Sequence, residues 1–359
     1  MAVHPEEIGT PALNGIGQRI FRDFVAGRYF RIWLVQSAGI GDFIETLWAY
    51  RTALTLLGGD GFSNEMALRR THYVVNSFVS PLIRMVEGVD GSNIHPLHDF
   101  SDKPKTAISP GAGDYLINLT DKGFAGVVNT FPASNVFSPF RTTPELATAR
   151  GRSKYRFWVS RFAAGNMPVQ AFASSSSRFD EFTSMKLTVK KPSEPVRLAL
   201  FPFSRDGGFE AVTADPATGR SMSAEFVCEM AGATSGACVF GEPYHWLPNL
   251  SREIAERGAS DHVWANPLPF AGMASAVSAA SSVVTVDTSA AHLAAALGRR
   301  TVVLLDDRSP EVVAAGLTAV PRAPHVVPFI CGLRERRPAE LSFYRASILR
   351  ILEKMGAKL

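Results

Sequence analysis

Residues Ser282 to Leu305 read SVVTV-DTS-AAHLAAALG-RR-TVVLL: a β-branched apolar run, a polar turn, an alanine-rich segment closed by Gly298, and a second β-branched run. Strand, turn, short helix and strand in this order make one βαβ unit. Ser289 is a good N-cap, so the amides that open the helix are expected at the carboxyl end of a parallel sheet. There α/β folds bind ligands, and the helix dipole stabilises a phosphate. With Ser289 as the cap, His292 is expected at the third helical position beside the same mouth. Asp287, at the strand end, suits a ribose hydroxyl or the orientation of the loop. An Asp-Thr-Ser cap with a satisfied histidine accounts for the same residues, and spacing alone does not choose between the two.

Working outward, apolar runs at Val196–Pro202, Ala237–Gly241, His262–Ala265, Ser282–Val286 and Thr301–Leu305 predict five strands. Helical segments near Ser223–Ala233, Ser251–Glu256, Gly272–Ala280 and Ala290–Leu297 separate them, the alternation of a doubly wound parallel sheet. Leu341, Tyr344, Ile348, Ile351 and Leu352 predict a closing amphipathic helix over Pro338–Met355. Upstream, the polar stretches Ala173–Ser177 and Lys190–Pro195 suit a connection between domains.

The amino-terminal half repeats the pattern. Arg31–Gln36 predicts a strand and Ser37–Gly41 a glycine-containing turn. Phe43, Leu47, Tyr50, Leu54 and Leu57 then share one face of a helix expected to start at Phe43, with Asp42 as its cap, and to stop at Gly58–Gly59. Further strands are expected at Thr71–Asn76 and Tyr115–Thr120, and a helix at Ser153–Ala164. The resulting division is 1–30 as an extension, 31–190 and 191–337 as two Rossmann-like domains, and 338–359 as the closing helix.

Composition narrows the function. With 46% hydrophobic residues among 359 the chain has enough apolar mass for two cores, and 37 basic against 33 acidic residues is too even for a dedicated nucleic-acid binder. Three cysteines without a Cys-x-x-Cys pair fit a reducing compartment. Glu6, Glu7, Arg19, Arg22, Asp23 and Arg28 interrupt any signal-peptide core, and no span is apolar enough to cross a membrane, so a cytoplasmic protein is expected. A dinucleotide fingerprint starting at Gly39 fails at Ile44, and no P-loop sequence occurs. The second Gly-x-Gly-Asp, Gly111–Asp114, precedes a strand, so Asp114 reads as structural. His95-Pro96-Leu97-His98-Asp99 reads as a plain loop, and no metal is assigned.

The run Val283–Gly298 resembles the carboxyl-terminal signature of the bacterial heptosyltransferases, glycosyltransferase family 9, in which an Asp-Thr-Gly or Asp-Ser-Gly turn precedes a His-Leu-Ala-Ala-Ala-Leu-Gly helix. Ser37-Ala38-Gly39-Ile40-Gly41-Asp42 is similar to the family's amino-terminal Gly-x-Gly-Asp loop. The resemblance implies a GT-B fold, two facing Rossmann-like domains, and inverting, metal-independent sugar transfer with the nucleotide sugar as substrate and no cofactor. It implies Asp42 as the catalytic base. For the donor it implies Gly39, Gly41, Asp287, Thr288, Ser289 and His292, together with Ser204, Arg205, Arg220 and Glu242. Around these last four the chain departs from the family, with Pro202-Phe203-Ser204 for Pro-Gly-Ala, Gly219-Arg220-Ser221-Met222 for a lysine followed by Arg-Trp, and a shifted acid at Glu242.

ADP-heptose is the donor the resemblance favours, with a glycan, lipid-linked or protein acceptor. Two alternatives remain open: another nucleotide sugar with a protein or metabolite acceptor, and a relative that binds a nucleotide or glycan without turnover. Arg334, Arg336 and Arg337 with Arg19, Arg22 and Arg28 offer peripheral contact to an anionic surface at the inner membrane face. Asp206–Thr218 reads as a surface loop, with a flap over the donor as the other reading.

Overall fold

The structure is a computed structural model. It describes residues 15–37, 39–98, 103–119, 125–138, 162, 196–202, 221–232, 237–240, 252, 256, 263–264, 270–321, 323–333 and 337–357. The chain divides into two compact units, residues 1–180 and 181–359.

The first unit runs α1 (Ile16–Val25), β1 (Ile32–Gln36), α2 (Ile40–Asn64), a π-helical turn (Glu65–Arg70), β2 (Thr71–Asn76), α3 (Ser80–Met85), β3 (Ile94–Leu97), β4 (Tyr115–Asn118), α4 (Ala125–Val128) and β5 (Val136–Phe137). Its strands pair in parallel in the order β3-β2-β1-β4-β5. All five residues of β1 are buried, as its continuous apolar sequence requires of a central strand covered on both faces. The chain winds from β1 through β2 to β3, then returns to the other flank of β1 as β4. The gap between the carboxyl ends of β1 and β4 is therefore a topological switch point, where α/β sheets bind ligands.

The structure adds α3, α4 and β5, for which the sequence reading has no element, and it reassigns three stretches. Residues 16–25, taken with the rest of 1–30 as an extension, form helix α1, whose Phe21 and Phe24 meet Phe62 of α2 edge-on. Of the charges that break a signal core, Arg19, Arg22 and Asp23 lie on this helix. Helix α2 begins at Ile40 rather than Phe43, and at Gly59 it bends (φ 78°) instead of stopping. His95 to Leu97 belongs to edge strand β3, not to a plain loop.

At the amino edge of this sheet, buried Asp114 accepts from the Arg31 and Gly111 amides, from Arg31 Nε and from Trp33 Nε1, each at 2.8 or 2.9 Å. Burial pushes its carboxyl up, but these donors outweigh burial and hold it below the usual carboxylate range. Asp114 is thus structural.

Trp33 stacks on His72 of β2 (4.6 Å between ring centroids), whose Nδ1 lies 2.8 Å from His95 Nε2 on β3. Burial, then His95 and Arg31, outweigh Asp114 and Asp90 and lower the His72 pKa to about 4; burial and Arg31 lower that of His95. An unfolded histidine takes up its proton near pH 6.5, so between about 6.5 and 4 the unfolded chain binds more protons and stability falls as pH falls. His72 is half-exposed, so solvent screening trims the effect. The melting temperature is expected to drop more steeply over this window in the parent than in a His72→Phe/His95→Phe variant. Equal slopes would show that the pair does not couple to folding.

The second unit runs β6 (Val196–Phe201), α5 (Ala224–Gly232), β7 (Ala237–Phe240), β8 (Val263–Trp264), α6 (Phe270–Ala279), β9 (Ala280–Val286), α7 (Ser289–Ala296), β10 (Arg300–Asp306), α8 (Pro310–Ala319), β11 (Val326–Cys331) and α9 (Pro338–Lys354). The order is β11-β10-β9-β6-β7-β8, again parallel, with six strands among the described residues where the sequence reading has five. The added strand, β11, is an edge. Its switch point lies between β6 and β9. Leu198, Leu200, Phe226, Met230, Val284 and Val302 form the core with Leu341, Ile348 and Leu352 of α9, which covers that face of the sheet.

The helix expected at Ser153–Ala164 lies outside the described residues apart from Phe162, as does that at Ser251–Glu256 apart from Arg252 and Glu256. The connection at 170–195 and the Asp206–Thr218 loop also lie outside them.

Candidate active site

Each unit carries sequence-predicted site residues at its own switch point. In the first, β1 ends at Gln36 and the chain turns through Ser37–Gly39 into α2. Gly39, not Asp42, is the N-cap residue, because φ −70° and ψ 176° leave it extended while its carbonyl accepts from the Phe43 amide at 3.0 Å. Asp42 is therefore on the third helical residue, exposed and in the first turn, where a carboxylate is favoured by the helix dipole. Its Oδ2 lies 3.7 Å from where a Cβ on Gly39 would sit. Any residue adopts the Gly39 conformation, and among the described residues only Asp42 comes within 4 Å of a methyl group there. What a side chain at 39 would do is lie against the Asp42 carboxylate. Gly41, half-buried, is the second residue of the same turn.

Two buried carboxamides at this edge escaped the sequence reading. Gln36 donates from Nε2 to Thr46 Oγ1 of α2 at 2.9 Å, and Asn76, at the end of β2, donates from Nδ2 to the Ser37 carbonyl at 2.5 Å. Their signal is a polar amide ending a run of apolar residues, Ile32–Val35 before Gln36 and Tyr73–Val75 before Asn76.

In the second unit the switch point is closed by hydroxyls. Thr285 Oγ1 lies 3.2 Å from the Phe201 carbonyl at the end of β6 and 3.2 Å from Thr288 Oγ1. The N-cap of α7 is Thr288, with φ −144° and ψ 179°, and not Ser289; its hydroxyl accepts from the Ala290 amide at 3.3 Å. Both residues can cap, but only Thr288 is extended, so Ser289 becomes the first helical residue and His292 the fourth instead of the third. Asp287, Thr288 and Ser289 are half-buried at the mouth, and His292 is buried one turn in.

The far end of α7 is set by Gly298 (φ 66°): Arg299 N donates to the Ala294 carbonyl at 2.9 Å and Gly298 N to that of Ala295 at 3.1 Å, the paired bonds of a Schellman stop. On the neighbouring strand, Asp306 at the end of β10 is buried and pairs with Arg308 Nε at 2.5 Å, and Ser309 caps α8. An arginine thus stands just past the carboxyl end of the strand beside β9, and Ser309-Pro310-Glu311 is the sequence signal for that helix start. Ser204, Arg205, Arg220 and Glu242 lie outside the described residues.

Residues 248–321 match Glycosyltransferase family 9 (heptosyltransferase). The segment contains the whole run from β9 through α7, so the likeness drawn from Val283–Gly298 holds. No curated protein matches the chain in sequence. Among solved structures, Escherichia coli heptosyltransferase WaaC with ADP is 16% identical, with 90% of this chain and 99% of that chain covered and a TM-score of 0.57. WaaC with ADP-2-deoxy-2-fluoro heptose gives 16%, 90%, 99% and 0.53. E. coli ADP-heptose LPS heptosyltransferase II is 14% identical, with 91% and 100% covered and a TM-score of 0.54. The fold is that of the GT-B heptosyltransferases.

Proposed function

We propose that this chain, a glycosyltransferase by its family 9 segment and GT-B fold, moves a heptose from ADP-heptose to an acceptor hydroxyl with inversion and without a metal. The observation that carries the reading is the family 9 match over residues 248–321, which includes the Asp287–His292 run; that run follows β9, a strand bordering the switch point of the second sheet, and α/β folds take ligands at such points. WaaC holding ADP and a fluorinated ADP-heptose supports the donor.

In this proposal Asp42 takes the proton of the acceptor hydroxyl as that oxygen attacks the anomeric carbon, and the bond from that carbon to the diphosphate breaks on the opposite face. The departing diphosphate gains negative charge, which the amides opening α7, Thr288, Ser289, His292 and Arg220 stabilise. Asp287 holds the ribose, and Ser204, Arg205 and Glu242 complete the donor site. Gly39 and Gly41 keep the backbone low beside the carboxylate. The acceptor is a glycan, lipid-linked or protein hydroxyl. Among the described residues no helix is long and apolar enough to cross a membrane, and Arg22, Arg28 and Arg337 are exposed; the proposal has the enzyme meeting an anionic membrane surface from the cytoplasmic side.

A thermal-shift panel of ADP, GDP, UDP and dTDP sugars tests the donor. A ligand that binds only the folded chain stabilises it by about 2.7 kcal/mol at a hundred times its Kd. ADP-heptose is expected to give the largest rise; a larger rise with another base would transfer the donor assignment to it, and no rise with any would remove the nucleotide-sugar reading.

Gly39→Ala is a second test. Its backbone is unstrained but alanine is a poorer N-cap than glycine, so stability should fall by no more than about 1 kcal/mol, while a methyl group against Asp42 is expected to cut turnover about tenfold, the scale of a modest misplacement at a reacting group. Parent-like turnover would show that access over Gly39 does not matter.

A further inference from the structure

We infer that Asn76 is a positioning residue for Asp42, an inference that rests on the proposed role of Asp42 as base. Asn76 ends β2 with no solvent exposure, directly after Val74 and Val75. A buried carboxamide is costly unless its hydrogen bonds are made, so an apolar strand end would serve the core better. The fold uses this amide where the β1–β2 ladder stops. Gln36 pairs with Val75 in register, which puts Ser37 level with Asn76.

At that level β1 leaves the sheet, and the Asn76 side chain donates to the Ser37 carbonyl. The peptide that starts the turn is thereby fixed to β2. On the other side Gln36 bonds Thr46, two turns into α2, so the helix is fixed to β1. Between these two clamps lie Gly39, whose carbonyl takes the Phe43 amide, and Asp42, whose carboxylate lies over Gly39. The height of Asp42 above the sheet edge is thus set through the Ser37 peptide. Asn76 touches no reacting atom in this arrangement; it acts through the loop.

The test uses the full chain with Asn76→Ala, the isosteric Asn76→Asp, and Asp42→Asn as the reference, all assayed well below their melting temperatures. Turnover is read as ADP released from ADP-heptose. Asn76→Ala is expected to lower kcat about a hundredfold with donor KM within twofold of the parent, since misplacement by about 1 Å costs on that order. Asn76→Asp can donate to the Ser37 carbonyl only when protonated, so its turnover relative to the parent is expected to rise as pH falls, whereas that of Asn76→Ala stays flat.

Hydrogen exchange, which needs no substrate, should speed up in the peptide spanning residues 37–43 of Asn76→Ala and remain unchanged in β4. If Asp42→Asn loses turnover while both Asn76 variants keep the parent's kcat, the positioning role is wrong. Turnover retained by Asp42→Asn would instead remove the base assignment and the positioning role with it. Unchanged exchange over 37–43 in Asn76→Ala would overturn the clamp itself.

Discussion

Asp42→Asn and Asp42→Ala are expected to abolish transfer while nucleotide affinity stays within about twofold of the parent. The size of the first effect follows from the role: a positioned general base contributes roughly 10² to 10⁴ in rate. The second follows from the placement, because Asp42 is on the sheet edge of the first unit whereas the proposed nucleotide contacts are in the second. Folding is not the confounder. Asp42 is exposed in the first turn of α2, where loss of a carboxylate costs about 0.3 to 1 kcal/mol at a helix terminus, too little to unfold a two-unit chain. Steady-state kinetics beside calorimetry with ADP separates the two quantities. Parent-like turnover in either variant would show that another group takes the acceptor proton.

Of the strands that the residue pattern predicted, all but β8 are interior to their sheets. β1, β9 and β10 are continuous runs of apolar and β-branched residues because both their faces are covered, and α7 is marked by polar residues before it and Gly298 after it. The strands missed are β3, β5 and β11; β5 has only two residues, and β3 and β11 each contain a proline, Pro96 and Pro328. Proline removes a ladder donor and argues against a central strand, but each of these is at a sheet edge, where the missing donor costs nothing. Edge position is a property of the assembled sheet and cannot be read from four or six residues.

The helix starts that carry the described candidate residues were legible to within three residues in the first unit and one in the second. Asp42 and the Asp287–His292 run are at the two switch points, yet both helix starts moved, to Ile40 and to Ser289. An Asp-Thr-Ser turn offers adjacent caps, and Gly39 and Asp42 are both good residues for a helix start, so backbone dihedral angles decide what composition leaves open. Asn76 and Gln36 were missed for a different reason: a strand-end amide is a weak signal, and for Asn76 its role is a tertiary contact with a carbonyl 39 positions away.

The helix shift bears on the diphosphate. With Thr288 as the cap, the amides nearest the mouth are those of Ser289 and Ala290, and the latter is held by the Thr288 hydroxyl at 3.3 Å, a long bond that a phosphate oxygen can replace. His292 is buried on the fourth helical residue, and Arg220, outside the described residues, is proposed as a phosphate clamp.

Removing one donor from such a site costs roughly 2.7 to 4 kcal/mol of transition-state stabilisation, a fall of a hundredfold or more in turnover. His292→Ala and Arg220→Ala are therefore each expected to slow transfer by at least that factor. Thr288→Val should lose about 1 kcal/mol of stability with its cap and also weaken diphosphate binding. The parent should bind ADP more tightly than AMP, and each variant should narrow that gap, because the lost interaction is with the phosphate absent from AMP. Calorimetric titration of both nucleotides into parent and variants, with melting curves to confirm folding, measures the gap directly. An ADP-to-AMP ratio identical in parent and variants would show that these residues do not touch the diphosphate, and Thr288 and His292 would then serve only to cap and pack α7.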